Sequence, residues 1–323
     1  MKWFLGGIIL LVFACNMKEP LREIDGTKVW FDLQGHRGAR GLAPENTVPA
    51  FWKAMTRGVT TLEMDLAVTS DRQLVVSHEP WFSHLYCRDS VGNPINKADA
   101  MQYNIYSMTY TEVEKFDCGS IRNPNFPEQE LVSTPKPTFA NAIQAIEQYI
   151  VQKKSFPVSY NIEVKSEPKG DNIYHPEPKV FAEIVFAEID KRLTWDRVTI
   201  QSFDFRVLQY FHENYPEVKL AALIGNNPCD QPGSPCEGEN GLEMNLNSLG
   251  FIPKIYSCEY KLLTQDLVDE IREKGMLVIP WTVNNIADME MLYEWGVDGL
   301  ITDYPNRFWE TNIRSTDIIE CPK

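Results

Sequence analysis

Four segments follow one another between residues 34 and 79: Gln34-Gly35-His36-Arg37-Gly38, Pro44-Glu45-Asn46-Thr47, Leu62-Glu63-Met64-Asp65 and Val75-Val76-Ser77-His78-Glu79. The first, third and fourth close what read as strands near 30–36, 60–66 and 73–78. Outward from them, short apolar strands near 158–164, 197–202, 218–224, 276–283 and 298–302 alternate with amphipathic stretches at 47–57, 138–150, 178–193, 204–214, 264–274 and 286–295. Strand and helix in alternation predict a parallel α/β sheet closed by outer helices. Two places break the period. Residues 79–136 are too long for a strand-to-helix loop and read as an inserted subdomain over the mouth of the sheet, where substrate selection is expected. Residues 225–250 are a second break, expected to wall the same pocket, and 251–257 is read as extended rim rather than a ninth strand.

The polar residues at these strand ends fit phosphodiester cleavage. Such a reaction needs a cation on the anionic oxygens, a base for the nucleophile and an acid for the leaving alkoxide. Glu63 and Asp65 alternate onto one face of their strand, and Tyr160-Asn161-Ile162-Glu163-Val164-Lys165 puts Asn161, Glu163 and Lys165 on one face of another. Glu63, Asp65 and Glu163 would form an all-oxygen site suited to one divalent cation, Ca²⁺ or Mg²⁺, whereas zinc would recruit Cys or more His. Arg37 and Lys165 are the phosphate cations, and His36 and His78 the acid and base. The glycines at 35 and 38 suit close backbone approach to a ligand. Carboxylates buried without a partner are strongly disfavoured, so ion pairing to Arg37 and Lys165 is the bland alternative to metal binding.

The motifs resemble those of the glycerophosphodiester phosphodiesterases. The resemblance rests on His36-Arg37-Gly38, Pro44-Glu45-Asn46-Thr47 with Ala50-Phe51, Glu63-x-Asp65, His78 and Glu163-x-Lys165. It continues through Gln201-Ser202-Phe203-Asp204, Trp281-Thr282-Val283-Asn284 and Gly299-Leu300-Ile301-Thr302-Asp303-Tyr304-Pro305, so it runs from about residue 30 to 309. It implies a TIM (β/α)8 barrel, with the insertion between the third strand and the third helix. It also implies hydrolysis of glycerophosphodiesters to glycerol 3-phosphate and an alcohol, with the metal on the three carboxylates and the two histidines as acid and base. Each motif falls at the C-terminal end of a strand, where barrel active sites lie. The chain departs at one position: Glu79 follows the second histidine where the family usually carries Asp.

Weaker candidates surround this set. Gln201 is expected to face the pocket, and Trp281 to offer a flat apolar wall, with core packing as the alternative. Asn46 and Thr47 suit a helix cap, and Glu45 a supporting contact. His84, His175 and His212 fall outside the motifs and are not expected in catalysis.

Length and charge set further bounds. A chain of 323 residues leaves room for one barrel of roughly 250 residues, a leader and an insertion. A net charge of −14 repels nucleic acid, so phosphate recognition must come from a local cationic pocket. Met1-Lys2 and the apolar run from Trp3 to Ala14 are too short to span a bilayer and read as a signal peptide. The run ends at Ala14-Cys15, which resembles a bacterial lipoprotein cleavage site. Residues 1–15 would then be leader, 16–26 tether and 27–323 the catalytic barrel. The expectation is an exported periplasmic or surface lipoprotein held to the membrane by lipid on Cys15, with plain secretion as the alternative.

Export makes disulfides reasonable among Cys87, Cys118, Cys229, Cys236, Cys258 and Cys321. Cys229 with Cys236, in a Pro/Gly-rich loop, is the leading pair and Cys87 with Cys118 the second. Three other functions compete. Phospholipase C or D-like attack on lysophospholipids or phosphoinositides would use a similar histidine pair. Glycoside hydrolysis by paired carboxylates leaves His36, His78, Arg37 and Lys165 without roles. A non-catalytic surface binding module would be expected to have lost a histidine or carboxylate, and none is lost.

Overall fold

The computed structural model describes residues 21–24, 27–225 and 241–313. The leader through Cys15, residues 16–20, 25 and 26 of the tether, the Cys229–Cys236 pair and Cys321 lie outside the described residues. Eight parallel strands form the barrel: β1 Asp32–Gly35, β2 Thr61–Val68, β3 Ser159–Val164, β4 Val198–Ser202, β5 Lys219–Ile224, β6 Ile255–Cys258, β7 Leu277–Val278 and β8 Gly299–Thr302. Each is followed by a helix: α1 Val48–Thr56, α2 Phe139–Lys153, α3 Pro178–Asp190, α4 Phe205–Asn214, α5 Gly241–Leu249, α6 Gln265–Glu273, α7 Ile286–Glu294 and α8 Pro305–Phe308. The sheet runs from β7 through β6, β5, β4, β3, β2 and β1 to β8. Backbone bonds from Asp298 N to Val278 O (2.8 Å), Ile301 N to Pro280 O (2.9 Å) and Val283 N to Ile301 O (2.9 Å) bring its two ends together.

Alternation along each strand sorts the side chains. Leu62, Met64 and Leu66 of β2 and Ile162 and Val164 of β3 are fully buried in one core with Phe139 and Ile143 of α2 and Phe181 and Val185 of α3. Each such side chain contributes about 1.5–3 kcal/mol by leaving water. The other face of the same strands points into the barrel. On the β5–β8 side the interior is apolar, with Ala221, Ile255, Ile279 and Ile301 packed together. On the β1–β4 side it carries buried Gln34, Glu63, Asp65, Asn161, Glu163 and Gln201. Helix starts follow the sequence signals: Thr47, Thr138 and Thr264 accept hydrogen bonds from the N–H groups of Ala50, Asn141 and Leu267.

The structure reassigns two segments, one expected as a barrel strand and one expected as rim. The segment near 73–78 forms a strand at Leu74–Val76, but it pairs antiparallel with the end of β2, Leu66 opposite Val76, and stays off the barrel path. The connection from Val68 to Leu74 is too short for a parallel crossover, which needs a dozen or more residues. The vacant place is taken by β6, which overlaps the end of the stretch read as rim and whose four residues are all buried between β5 and β7. Counted around the barrel, the insertion therefore interrupts the second β/α unit, between β2 and α2; counted along the chain it still follows the third of the expected strands. The described part of the second break is α5. Gln209 on α4 donates to the Ser248 and Leu249 carbonyls, which sets this helix in the outer layer rather than in a pocket wall.

The insertion has a small core of its own, with Phe82 stacked on Phe116 at 3.9 Å beside buried Ile105 and Val113. Cys87 and Cys118 form a disulfide within it. Cys258, at the end of β6, is buried and free among the described cysteines.

Candidate active site

The loop after β1 is built so that one turn supplies two functional side chains. Arg37 and Gly38 both have positive φ, +50° and +85°. A Cβ on Gly35 would lie 2.2 Å from the Gly38 carbonyl oxygen, so only glycine fits there. This tight turn lets the Arg37 backbone N–H donate to Glu63 Oε2 at 2.7 Å, while its guanidinium donates from Nη1 to Glu45 Oε1 at 2.7 Å. A strained non-glycine residue of this kind persists where its surroundings over-determine it, often at a functional site.

His36 is fixed from the other end of the chain. Its N–H donates to the Thr302 carbonyl at 2.9 Å, and its Nδ1 lies 2.7 Å from Asp303 Oδ1. Asp303 in turn accepts from Arg40 Nε at 2.5 Å and from Asn284 Nδ2 at 2.7 Å. With Nδ1 engaged, Nε2 faces the pocket, 4.0 Å from Glu63 Oε2. Burial first, then the Arg40 charge, push the ring down to about 4, with Asp303 opposing them. His78 is arranged alike: Nδ1 is 3.0 Å from Glu79 Oε1, and burial with the Lys165 and Arg37 charges lowers its pKa. Burial thus lowers both histidines, and each has one ring nitrogen tied to a carboxylate.

Glu63, Asp65 and Glu163 are buried and each offers an oxygen within 4.8 Å of the others. Asp65 Oδ2 accepts from Asn46 Nδ2 at 2.7 Å, whereas its Oδ1 is buried with no hydrogen-bond partner among the described residues. Glu163 Oε1 accepts from Lys165 Nζ at 2.8 Å. Burial, then the Asp65 and Glu163 charges, push the Glu63 carboxyl well above its ordinary range. Three carboxylates cannot all ionise here without added positive charge. The orphaned Asp65 oxygen and the oxygen-only donor set fit a hard divalent cation.

His36, Arg37, Glu63, His78, Glu163, Gln201 and Trp281 line one cavity of about 250 Å³ at the C-terminal ends of the strands. Asp65 adjoins it through Glu63 and Glu163, and Lys165 reaches it through Glu163 and sits 5.8 Å from the Phe203 ring. All nine expected residues are thus brought to one place. Gln201 is also used internally: its Nε2 donates to Glu63 Oε1 at 3.0 Å, and its Oε1 accepts from Asn161 at 2.9 Å. Trp281 donates to the Ser257 carbonyl at 2.9 Å and meets Phe203 edge-on at 5.5 Å, forming an apolar wall. Glu45, Asn46 and Thr47 divide their tasks, Glu45 holding Arg37, Asn46 holding Asp65 and Thr47 capping α1. A larger cavity of about 560 Å³ opens at the opposite end of the strands, beside Asp32, Lys219 and Lys254, and contains none of the motif residues.

His175 is buried, accepts from the Glu167 N–H at 3.1 Å and holds the loop after β3. His212 stacks on Phe251 at 4.0 Å on the outer surface. Sequence reasoning gave no role to Asp303, Arg40 or Asn284. The signal available for Asp303 was its place at the end of the last strand, which barrel closure sets beside the first.

A family model described as the glycerophosphoryl diester phosphodiesterase family matches residues 36–307. A glycerophosphodiester phosphodiesterase of Bacillus subtilis is 28% identical over 274 residues, covering 84% of this chain and 83% of that protein. A solved structure from Silicibacter pomeroyi, provisionally named a glycerophosphoryl diester phosphodiesterase, is 27% identical with a TM-score of 0.74, covering 86% of this chain and 91% of that one. An Oleispira antarctica phosphodiesterase solved with the product sn-glycerol-3-phosphate shares the fold, with a TM-score of 0.65, 20% identity, and coverage of 86% and 95%.

Proposed function

The chain belongs to the glycerophosphoryl diester phosphodiesterase family, and from that premise we propose that it hydrolyses glycerophosphodiesters to glycerol 3-phosphate and an alcohol by metal-dependent histidine acid/base catalysis. The observation that carries the reading is the pairing of two carboxylate-anchored histidines with a buried trio of carboxylates around one cavity. Glu63, Asp65 and Glu163 would hold one Ca²⁺ or Mg²⁺ ion, whose chemistry is to polarise the phosphate oxygens and offset the carboxylate charge. Arg37 and Lys165 add positive charge for the phosphate. One histidine Nε2 accepts the proton of the attacking hydroxyl as the new P–O bond forms. The other enters the step protonated at Nε2 and donates that proton to the departing alcohol oxygen as the old P–O bond breaks, so one proton is taken up and one given out per turnover, and the phosphate stays on glycerol. General acid and base terms of this kind contribute about 10²–10⁴ in rate.

The Phe203 and Trp281 wall supports an apolar contact to the alcohol or the glycerol carbons. The leader read at residues 1–15 supports export with lipid on Cys15. The test is turnover on glycerophosphocholine, glycerophosphoethanolamine, glycerophosphoglycerol, glycerophosphoinositol and a lysophosphatidylcholine, with and without chelator. Release of glycerol 3-phosphate from at least one of the first four, lost on chelation, is the expected result. Turnover confined to the lysophospholipid moves the enzyme to the phospholipase D-like reading. No phosphodiester turnover with Ca²⁺ or Mg²⁺ present refutes both.

A further inference from the structure

Besides the contacts of Phe126 and Gln129 with Arg40, the insertion reaches the site through a buried phenol. Tyr86 is buried, 6% exposed, and its hydroxyl lies 3.1 Å from Glu45 Oε1 and 3.2 Å from Glu79 Oε2. Glu45 Oε1 is the acceptor for Arg37 Nη1, and the other oxygen of Glu79 is 3.0 Å from His78 Nδ1. One side chain of the insertion thus closes a continuous path, Arg37–Glu45–Tyr86–Glu79–His78, between the loop after β1 and the loop after the Leu74–Val76 strand. The length of Glu79 is what allows this. Its two oxygens face different partners, and a side chain one methylene shorter cannot reach both from the same backbone position.

A phenol has one proton and meets two carboxylates here, so the arrangement needs positive charge nearby. Lys136, buried at 2% exposure, supplies it, with Nζ 6.0 Å from the Tyr86 ring centroid and 5.9 Å from that of Phe82. The disulfide holds both pieces. Cys87 is the next residue after Tyr86, and its partner Cys118 donates from its N–H to the Thr134 carbonyl at 2.9 Å, two residues before Lys136. A buried tyrosine could instead serve only to fill the small core around Phe82 and Phe116. Packing alone, however, does not require its hydroxyl to sit between the residues that hold Arg37 and His78.

We propose that Tyr86 is a positioning residue for the phosphodiesterase reaction. It sets Arg37 and His78 relative to each other through Glu45 and Glu79, and the Cys87–Cys118 disulfide and Lys136 hold it in place. The proposal rests on the phosphodiesterase reading, so wild-type turnover is established first, and its absence would tell against that reading rather than this one.

The test is a double-mutant cycle of Tyr86→Phe with Glu79→Asp on the glycerophosphodiester that the wild type turns over best. Tyr86→Phe keeps the ring and its packing and removes only the hydroxyl. The expected result is a loss of about tenfold or more in kcat/KM, shared between a raised KM through Arg37 and a lowered kcat through His78, because small misplacements of reacting groups carry such costs. In the Glu79→Asp background, where the bridge is already broken, Tyr86→Phe costs less than a further twofold. Tyr86→Phe within twofold of wild type in both kcat and KM overturns the proposal, as do fully additive losses. If Tyr86→Phe does not fold, Cys87→Ser/Cys118→Ser is assayed below its melting temperature. A several-fold loss in kcat/KM with both parameters moved supports the proposal, and wild-type kinetics overturn it.

Discussion

Glu163→Gln should separate what the acidic trio does for function from what it does to stability. Glu163 is 6% exposed, and burial first, then the Asp65 charge, push it up to about 7 from the ordinary 4.5, against the pull of Lys165. A carboxyl whose folded-state pKa lies above its unfolded value contributes stability that is fully present below about 4.5 and lost as pH rises through about 7. At about 1.4 kcal/mol per tenfold in the ionisation constant, the rise corresponds to about 3 kcal/mol of native-state stability lost above pH 7 in metal-free protein. Gln has the same shape, does not ionise, and keeps an oxygen for Lys165 Nζ. In EDTA the variant should therefore match wild type near pH 5 and melt roughly 5 °C higher near pH 8. Saturating Ca²⁺ or Mg²⁺ should reverse the order, since a cation that binds only the folded state stabilises it by mass action and the variant lacks a ligand. Melting curves of both proteins at pH 5 and pH 8, with chelator and with metal, read this directly. If the variant's advantage in EDTA does not grow between pH 5 and pH 8, or if metal does not reverse it, Glu163 is not held as a strained ligand and the metal assignment loses its physical basis.

Removing the metal should abolish turnover, and Ca²⁺ or Mg²⁺ should restore it; full activity in excess EDTA after verified metal loss would refute the assignment. His36→Ala and His78→Ala should each lower kcat by about 10²-fold or more without changing the melting temperature much, with less than additive loss in the double variant. Asp303→Asn should lower kcat by about 10- to 100-fold, because His36 loses the carboxylate that orients its ring and stabilises its protonated form; unchanged kcat would remove Asp303 from the site. Cys15→Ser in a bacterial host should shift the protein from the detergent phase to the aqueous phase, checked by partitioning and by mass spectrometry of the N-terminal peptide. An unmodified wild-type N-terminus would leave plain secretion standing.

The part of the site legible in the sequence is the part that lies on strands. Alternation alone puts Glu63 with Asp65, and Glu163 with Lys165, on common faces, and the β2–β3 register sets Asp65 opposite Glu163. The two reassigned segments were misread because apolar runs of three or four residues have no usable period. For Leu74–Val76 the short connection back to Val68 already excluded a parallel partner, so the length of the link was a better guide than the apolar content. For β6 there was no such signal, since the extended stretch 251–257 lies between a break in the pattern and the next helix.

Residues that act through others were hidden for a physical reason. Asp303 meets His36 across 267 positions because barrel closure sets β8 beside β1, and only the three-dimensional ring makes them neighbours. Tyr86 and Lys136 sit in an insertion whose short turns and 3₁₀ segments have no period to read. The strands fix which groups are present, and the connections fix how they are aimed. His36 and His78 show the division. Each sits at the end of a barrel or arm strand, yet the Nδ1 partner that leaves Nε2 free for substrate comes from the loop after β8 in one case and from the entrance of the insertion in the other. A change of aim in this enzyme therefore has two routes, one through Asp303 and its partners Arg40 and Asn284, the other through Glu79 and Tyr86. Both end on the one cavity where the two histidines act on the same phosphate, so substitutions across the routes should combine less than additively, as for the histidines themselves.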